Sequence, residues 1–277
     1  MTFPIVEIFG FPPDNASAEA KKCRTRYWCP FLDIRCIKGG HQVPIPLGTC
    51  SVVSPYGPVV TCPKRFYGDN YTLIHKVGAT LLETQSNVVI VPEIGTTPSS
   101  TFDWIVVQHD GTGNVLNYHG IEVQSIDITG SVRPYFEAYM QGEDLSRVKH
   151  TYGINWANVF KRGMPQFLAK AAILTNYGKK LAIVVQDQLL DYINLRSDRM
   201  TIEEEPLPHL ANVIFFAYRL SHDADQNIHY WQLDRRLPTS SRRLETAFIA
   251  GLLGRVPRQD EFERAVAERV AQMVNSG

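Results

Sequence analysis

With 277 residues, 44% of them hydrophobic, the chain is long enough to bury a substantial core and reads as one large domain plus an appended module. Its formal net charge is zero, which counts against a uniformly basic nucleic-acid binder, and no apolar run is long enough to span a membrane. Residues 1–10 carry no basic stretch followed by an apolar core, so no secretory signal is expected and the reading is a cytoplasmic protein.

Charge is nonetheless uneven. Lys21, Lys22, Arg24, Arg26, Arg35 and Lys38 crowd one segment, and Arg235, Arg236, Arg242, Arg243, Arg255 and Arg258 another. Both clusters suit either solvated faces or contacts with phosphates.

In chain order, residues 3–9 read as a short apolar strand ended by Gly10, Pro12 and Pro13. All five cysteines follow, Cys23, Cys29, Cys36, Cys50 and Cys62, and none occurs after them. In a cytoplasmic chain such clustering favours a metal held by thiolates over disulfides. The spacing is not a pair of CxxC knuckles: six, thirteen and eleven residues separate Cys29, Cys36, Cys50 and Cys62. Cys29 and Cys62 are each followed by proline, as two similar rigid turns presenting sulfur would be, which leaves Cys23 as a spare thiol. Four thiolates suit zinc or iron, and such a site would add folding energy to a segment with little core of its own. His41 is a weaker candidate beside two glycines. Residues 1–68 are expected to form this cysteine module, and residues 69–277 the main domain.

Residues 71–85 carry a helical pattern, and 87–94 form a β-branched run expected as a buried strand, followed by a turn-rich loop over 95–100. A hairpin then runs from 102–108 through Asp110-Gly111 and Gly113-Asn114 into 118–126. Side chains alternate along a strand, so Glu122 and Gln124 share one face. Pairing of the two runs would bring Asp103 beside Glu122. Two adjacent carboxylates repel, and a divalent cation between them removes the cost. These are the candidate catalytic residues.

Residues 131–140 fit a short helix and 141–153 a polar connection. The clearest helix spans 155–176, with Trp156, Val159, Phe160, Gly163, Phe167, Ala171 and Leu174 on the apolar face. Asn158, Lys161, Arg162, Gln166 and Lys170 lie opposite, and Pro165 should kink or divide it. A buried strand over 180–186, a helix over 187–195, a surface loop over 203–209 and strands over 212–220 and 228–233 follow. Two helices close the chain, over 243–253 and 259–274. Phe262, Val266, Val270 and Met273 of the last are expected to face inward, as core, dimer face or DNA-contacting cap. The order of elements implies an α/β mixed sheet flanked by helices.

Several islands of sequence resemble the NotI-type restriction endonucleases, a branch of the PD-(D/E)xK nuclease superfamily. They are Ile5-Val6-Glu7-Ile8-Phe9-Gly10, Cys29-Pro30-Phe31-Leu32, Cys36-Ile37-Lys38, Gly48-Thr49-Cys50-Ser51-Val52-Val53 and Thr61-Cys62-Pro63-Lys64-Arg65. Phe102-Asp103-Trp104, Gly120-Ile121-Glu122-Val123-Gln124-Ser125 and Asn158-Val159-Phe160-Lys161-Arg162 continue the series in the same order. The resemblance implies a restriction-endonuclease-like fold and a structural iron on Cys29, Cys36, Cys50 and Cys62. It also implies a catalytic set of Asp103, Glu122 and Gln124, with glutamine where the superfamily usually has lysine.

The activity implied is sequence-specific double-strand cleavage of double-stranded DNA by a homodimer. Mg²⁺ would be held by Asp103, Glu122 and the backbone carbonyl of Val123, and Lys161 or Arg162 would reach phosphates or simply line an exposed face. A non-restriction DNA nuclease of the same fold, or a cysteine-metal DNA-binding module without catalysis, are the alternatives.

Overall fold

The computed structural model describes residues 4–39, 44–97, 100–149, 151–196, 211–253 and 258–275. His41 and the loop expected over 203–209 lie outside them. Strand β1 (Ile5–Ile8) leads to helix α1 (Ala18–Arg26), capped at its start by the Ser17 hydroxyl and ended by Tyr27 in the left-handed region. The ribbon β2 (Trp28–Cys29) and β3 (Ile34–Arg35) and the hairpin β4 (Thr49–Ser54) and β5 (Gly57–Val60) follow. A 3-10 turn, Pro63–Tyr67, then feeds α2 (Gly68–Leu82).

Three strands come next, β6 (Val88–Thr97), β7 (Ser100–His109) and β8 (Val115–Gln124), then the short β9 (Ile128–Gly130) and helix α3 (Arg133–Gln141). Strand β10 (Tyr152–Ile154) precedes α4 (Trp156–Asn158), a π-helical turn Val159–Gly163 and α5 (Met164–Asn176). The chain continues through β11 (Leu181–Gln186), α6 (Asp187–Arg196), β12 (Val213–Asp223), β13 (Ile228–Thr239), α7 (Ser241–Leu253) and α8 (Gln259–Asn275).

One six-stranded mixed sheet, ordered β13-β12-β11-β8-β7-β6, carries the architecture. Its centre is β11, parallel to both β8 and β12, with all six residues buried. That is why residues 181–185 are unbroken apolar sequence, since a strand covered on both faces has no polar side to alternate with. Phe102, Ile105, Phe160, Phe167, Ile183 and Phe215 belong to the core on the side of α5 and α6. Val106, Ile121, Val123, Val184 and Phe216 pack with Ile74, Val77 and Leu81 of α2 on the other. Helix α2 comes close enough that a Cβ on Gly78 would meet Val106 at 2.6 Å, so glycine is required there.

Side chains from both sides of residue 68 share one core, since Ile5, Ile8, Phe9, Val52 and Val59 pack in the same cluster as the α5 residues. The amide of Gln186 extends this junction: its oxygen accepts from Val60 N–H at 2.9 Å and its Nε2 donates to Pro58 O at 2.6 Å.

Three expectations change. The run 87–94 is not a buried strand but the sheet edge, paired among the described residues with β7 alone, so Val89 is 43% exposed. The loop expected over 95–100 is mostly strand, since β6 extends to Thr97 and β7 begins at Ser100. On α8 the side chains of Phe262, Val266, Val270 and Met273 face solvent, Phe262 at 60% exposure. Helical period alone cannot say whether an apolar stripe meets the chain's own core. Among the described residues no helix is long and apolar enough to cross a membrane.

Pro165 behaves as its chemistry requires. In a helix interior it would cost about 3 kcal/mol through a lost hydrogen bond and a steric clash. Here it stands in the first turn of α5, directly after the π-helical turn, where its missing N–H costs little.

Candidate active site

The β7–β8 hairpin sets the site. Its turn is held by Asp110, whose Oδ1 accepts from Thr112 N–H at 2.8 Å and Asn114 N–H at 3.1 Å. The strands pair with Trp104 opposite Ile121 and Ile105 opposite Gly120. One step further along, Asp103 N–H donates to Glu122 Oε1 at 3.2 Å, and Val123 N–H donates to Asp103 Oδ2 at 2.9 Å. The two carboxylates therefore meet across the strands. A slip of one residue would have turned one of them to the opposite face.

They differ in burial, Asp103 being half-buried and Glu122 almost fully enclosed. Glu122 is buried, and burial together with the adjacent Asp103 pushes its pKa up to about 7 against the pull of Lys170. Burial raises Asp103 as well, opposed by the Val123 N–H bond and by the charges of Lys170 and Lys64. Two carboxyl groups side by side, with Asp103 opposing the ionisation of Glu122, fit a hard cation with oxygen ligands. Gln124 continues the Glu122 face. Its Nε2 donates to Ser125 O at 2.7 Å, and a Cβ on Gly163 would lie 3.4 Å from its Oε1, so the side-chain-free turn of the helix gives the amide room.

The residue that pattern reading misplaced is Lys170. Expected on the polar face of the helix, it is buried, and its Nζ donates to Glu122 Oε2 at 2.5 Å. The ammonium also sits 5.8 Å from the centre of the Phe102 ring. Position 170 lies three residues after Phe167 and four before Leu174, both fully inside. Helical phase thus puts it on the apolar stripe, and a lysine there was the available signal.

The cysteines occupy the N-terminal segment without any disulfide. Cys29 accepts from the N–H groups of Phe31 and Leu32, and Cys36 from that of Lys38, bonds that favour thiolate. Burial works the other way, pushing Cys29 up to about 11 and Cys50 well above its ordinary range. Cys62 acts electrostatically on Cys29, Cys36 and Cys50, so the four share one neighbourhood. Lys38 stands among them, its Nζ donating to Thr49 O at 2.5 Å and Thr61 Oγ1 at 2.7 Å. The donor chemistry fits a thiophilic metal, whose charge would offset the burial. Among the described residues, though, no three or more His, Cys, Asp or Glu side chains are gathered closely enough to hold a metal ion. Cys23, set aside as spare, is fully buried in the main core.

The model of the NotI restriction endonuclease family matches residues 16–232, more than three-quarters of the chain. This chain belongs to the NotI family. It is accordingly a type II site-specific endonuclease, a hydrolase of DNA. No curated protein matches it. The NotI match spans the cysteine segment, the β7–β8 hairpin and α5, and ends within β13. Helices α7 and α8 lie beyond it. Within the matched region Lys161 and Arg162 are exposed on the π-helical turn whose buried Gly163 faces Gln124.

Proposed function

We propose that this restriction endonuclease makes double-strand cuts by Mg²⁺-dependent hydrolysis at the Asp103–Glu122 pair, within a PD-(D/E)xK nuclease core. The observation that carries the reading is the meeting of these two carboxyl groups across β7 and β8 in a buried setting. Asp103, Glu122 and the Val123 backbone carbonyl would hold the cation. Bound there, magnesium would polarise the scissile phosphate and acidify a coordinated water. Gln124, uncharged, would orient that water through its amide, and the exposed Lys161 and Arg162 would hold the DNA backbone.

Incubation with plasmid and Mg²⁺ tests this. Discrete fragments are expected. A smear would make the protein a nuclease without site specificity, and intact DNA would make it a binder.

The module of residues 1–68 is assigned Cys29, Cys36, Cys50 and Cys62 as ligands of a structural iron, with zinc as the alternative. Its role would be to position DNA-reading elements on the core of residues 69–277. The purified protein should be red, with visible absorption and about one iron per chain, both lost in a Cys50→Ser variant. A colourless protein with stoichiometric zinc would overturn the iron assignment.

Cutting both strands of a symmetric site calls for two active sites, hence a homodimer in the cytoplasm. The outward stripe Phe262, Val266, Val270 and Met273 on α8 supports self-association. Sedimentation at the mass of a single chain, with and without cognate DNA, would refute the dimer.

A further inference from the structure

The strongest feature not absorbed by this mechanism is the ammonium buried beside Glu122. We propose that Lys170 is a positioning residue of the nuclease site, supplying from α5 the positive charge that Gln124 lacks and fixing the Glu122 carboxylate. The proposal rests on the reading of Asp103 and Glu122 as the active site.

The pair is nearly sealed, with side-chain exposures of 8% for Lys170 and 5% for Glu122 at 2.5 Å. A buried ion pair is a poor way to stabilise a core, because desolvating two charges offsets most of their attraction, and apolar replacements are often neutral or better. A lysine set on an apolar stripe between Phe167 and Leu174 therefore calls for a role other than packing. Its location supplies one. The ammonium touches Glu122, acts on Asp103, and lies against Phe102, the residue before Asp103.

Two carboxylates and one ammonium are thus assembled from two strands and a helix. Gln124, the residue two along from Glu122, contributes only an amide, bonded to Ser125. Lys170 holds one oxygen of Glu122, while Asp103 N–H binds the other. The carboxylate is thereby clamped from both sides, with its plane and position set before any substrate arrives.

Three variants of the full-length protein decide the matter: K170M, K170R and the double variant Q124K/K170M. K170M should keep its far-ultraviolet circular dichroism and its KM for plasmid within ~3-fold, while kcat falls by on the order of 100-fold. K170R should recover part of the loss. Q124K/K170M should recover about tenfold over K170M, because the charge returns from the neighbouring strand. Thermal unfolding gives a readout independent of turnover. Added Mg²⁺ should raise the Tm of K170M more than that of wild type, since Glu122 then has no other cation.

Wild-type kcat in K170M would overturn the proposal. So would a slow K170M that Q124K does not rescue and whose Mg²⁺-induced Tm shift matches wild type, the signature of a merely structural lysine. If K170M does not fold, K170Q carries the same expectations. A D103A control separates the two levels of inference. Cutting by D103A would remove the site reading altogether, whereas an inactive D103A beside a fully active K170M would remove only the role of Lys170.

Discussion

Replacing Asp103 by alanine is expected to abolish DNA cutting, with a fall in rate of ~10³-fold or more, equivalent to about 4 kcal/mol of transition-state stabilisation. Asp103 is one of the two carboxylates that meet across β7 and β8, and its loss would leave Glu122 as the single carboxylate of the proposed cation site. The fold should tolerate the change. Asp103 is partly exposed, and its one hydrogen bond to the Val123 N–H is offset by relief of its repulsion with Glu122. The net effect on stability should stay within ~1 kcal/mol. Binding to plasmid, followed by gel shift, should persist, because the exposed Lys161 and Arg162, proposed to hold the DNA backbone, are untouched. Discrete fragments from a folded D103A protein would sink the assignment of the site.

How far the site is legible in the sequence differs sharply from residue to residue. The Asp103–Glu122 pairing was accessible because side chains alternate strictly along a strand and the Asp110 turn anchors the hairpin. The central strand β11 announced itself by an unbroken apolar run. Lys170 does not, because its residue type argues for the surface while its helical phase argues for the interior. The stripe on α8 is legible as amphipathic, but its inward orientation is not borne out, since period carries no information about what covers a face. The cysteine segment was hardest. Between Trp28 and Arg35 it holds only two-residue strands, so spacing along the chain says little about distances between sulfurs.

The junction between that segment and the sheet hangs on a buried charge, and removing it should be severe. Glu7 is fully buried. Its Oε1 takes Arg65 Nε at 3.0 Å, and its Oε2 takes the Ser51 hydroxyl at 2.8 Å. The Arg65 guanidinium lies over the rings of Phe31 and Trp231, 4.8 and 5.5 Å from their centres, and donates to His229 O at 2.6 Å. In return Trp231 Nε1 donates to Arg65 O at 3.0 Å, so β1, β4 and the Pro63–Tyr67 turn are tied to β13 at the far edge of the sheet.

An Arg65→Met variant would strand the carboxylate, at a cost of about 3–5 kcal/mol out of the 5–15 kcal/mol that typically holds a domain together. Arg65→Lys should recover little, because an ammonium cannot match the contacts a planar guanidinium makes with Glu7, His229 O and two aromatic rings. The loss should also depend on pH with a definite sign. Burial already raises the pKa of Glu7 above its ordinary 4.5, with Arg65 the largest opposing influence. A carboxyl with a raised pKa binds its proton more tightly in the folded state. Its contribution is therefore fully present below 4.5 and lost as pH rises through the folded value. Without Arg65 that folded value moves higher still, so the gap between Arg65→Met and wild type should widen from pH 5 to pH 8. Adding Glu7→Gln should close most of it. Urea unfolding at both pH values measures this, and an equal gap at the two would show that Arg65 stabilises through its ring contacts rather than through its charge.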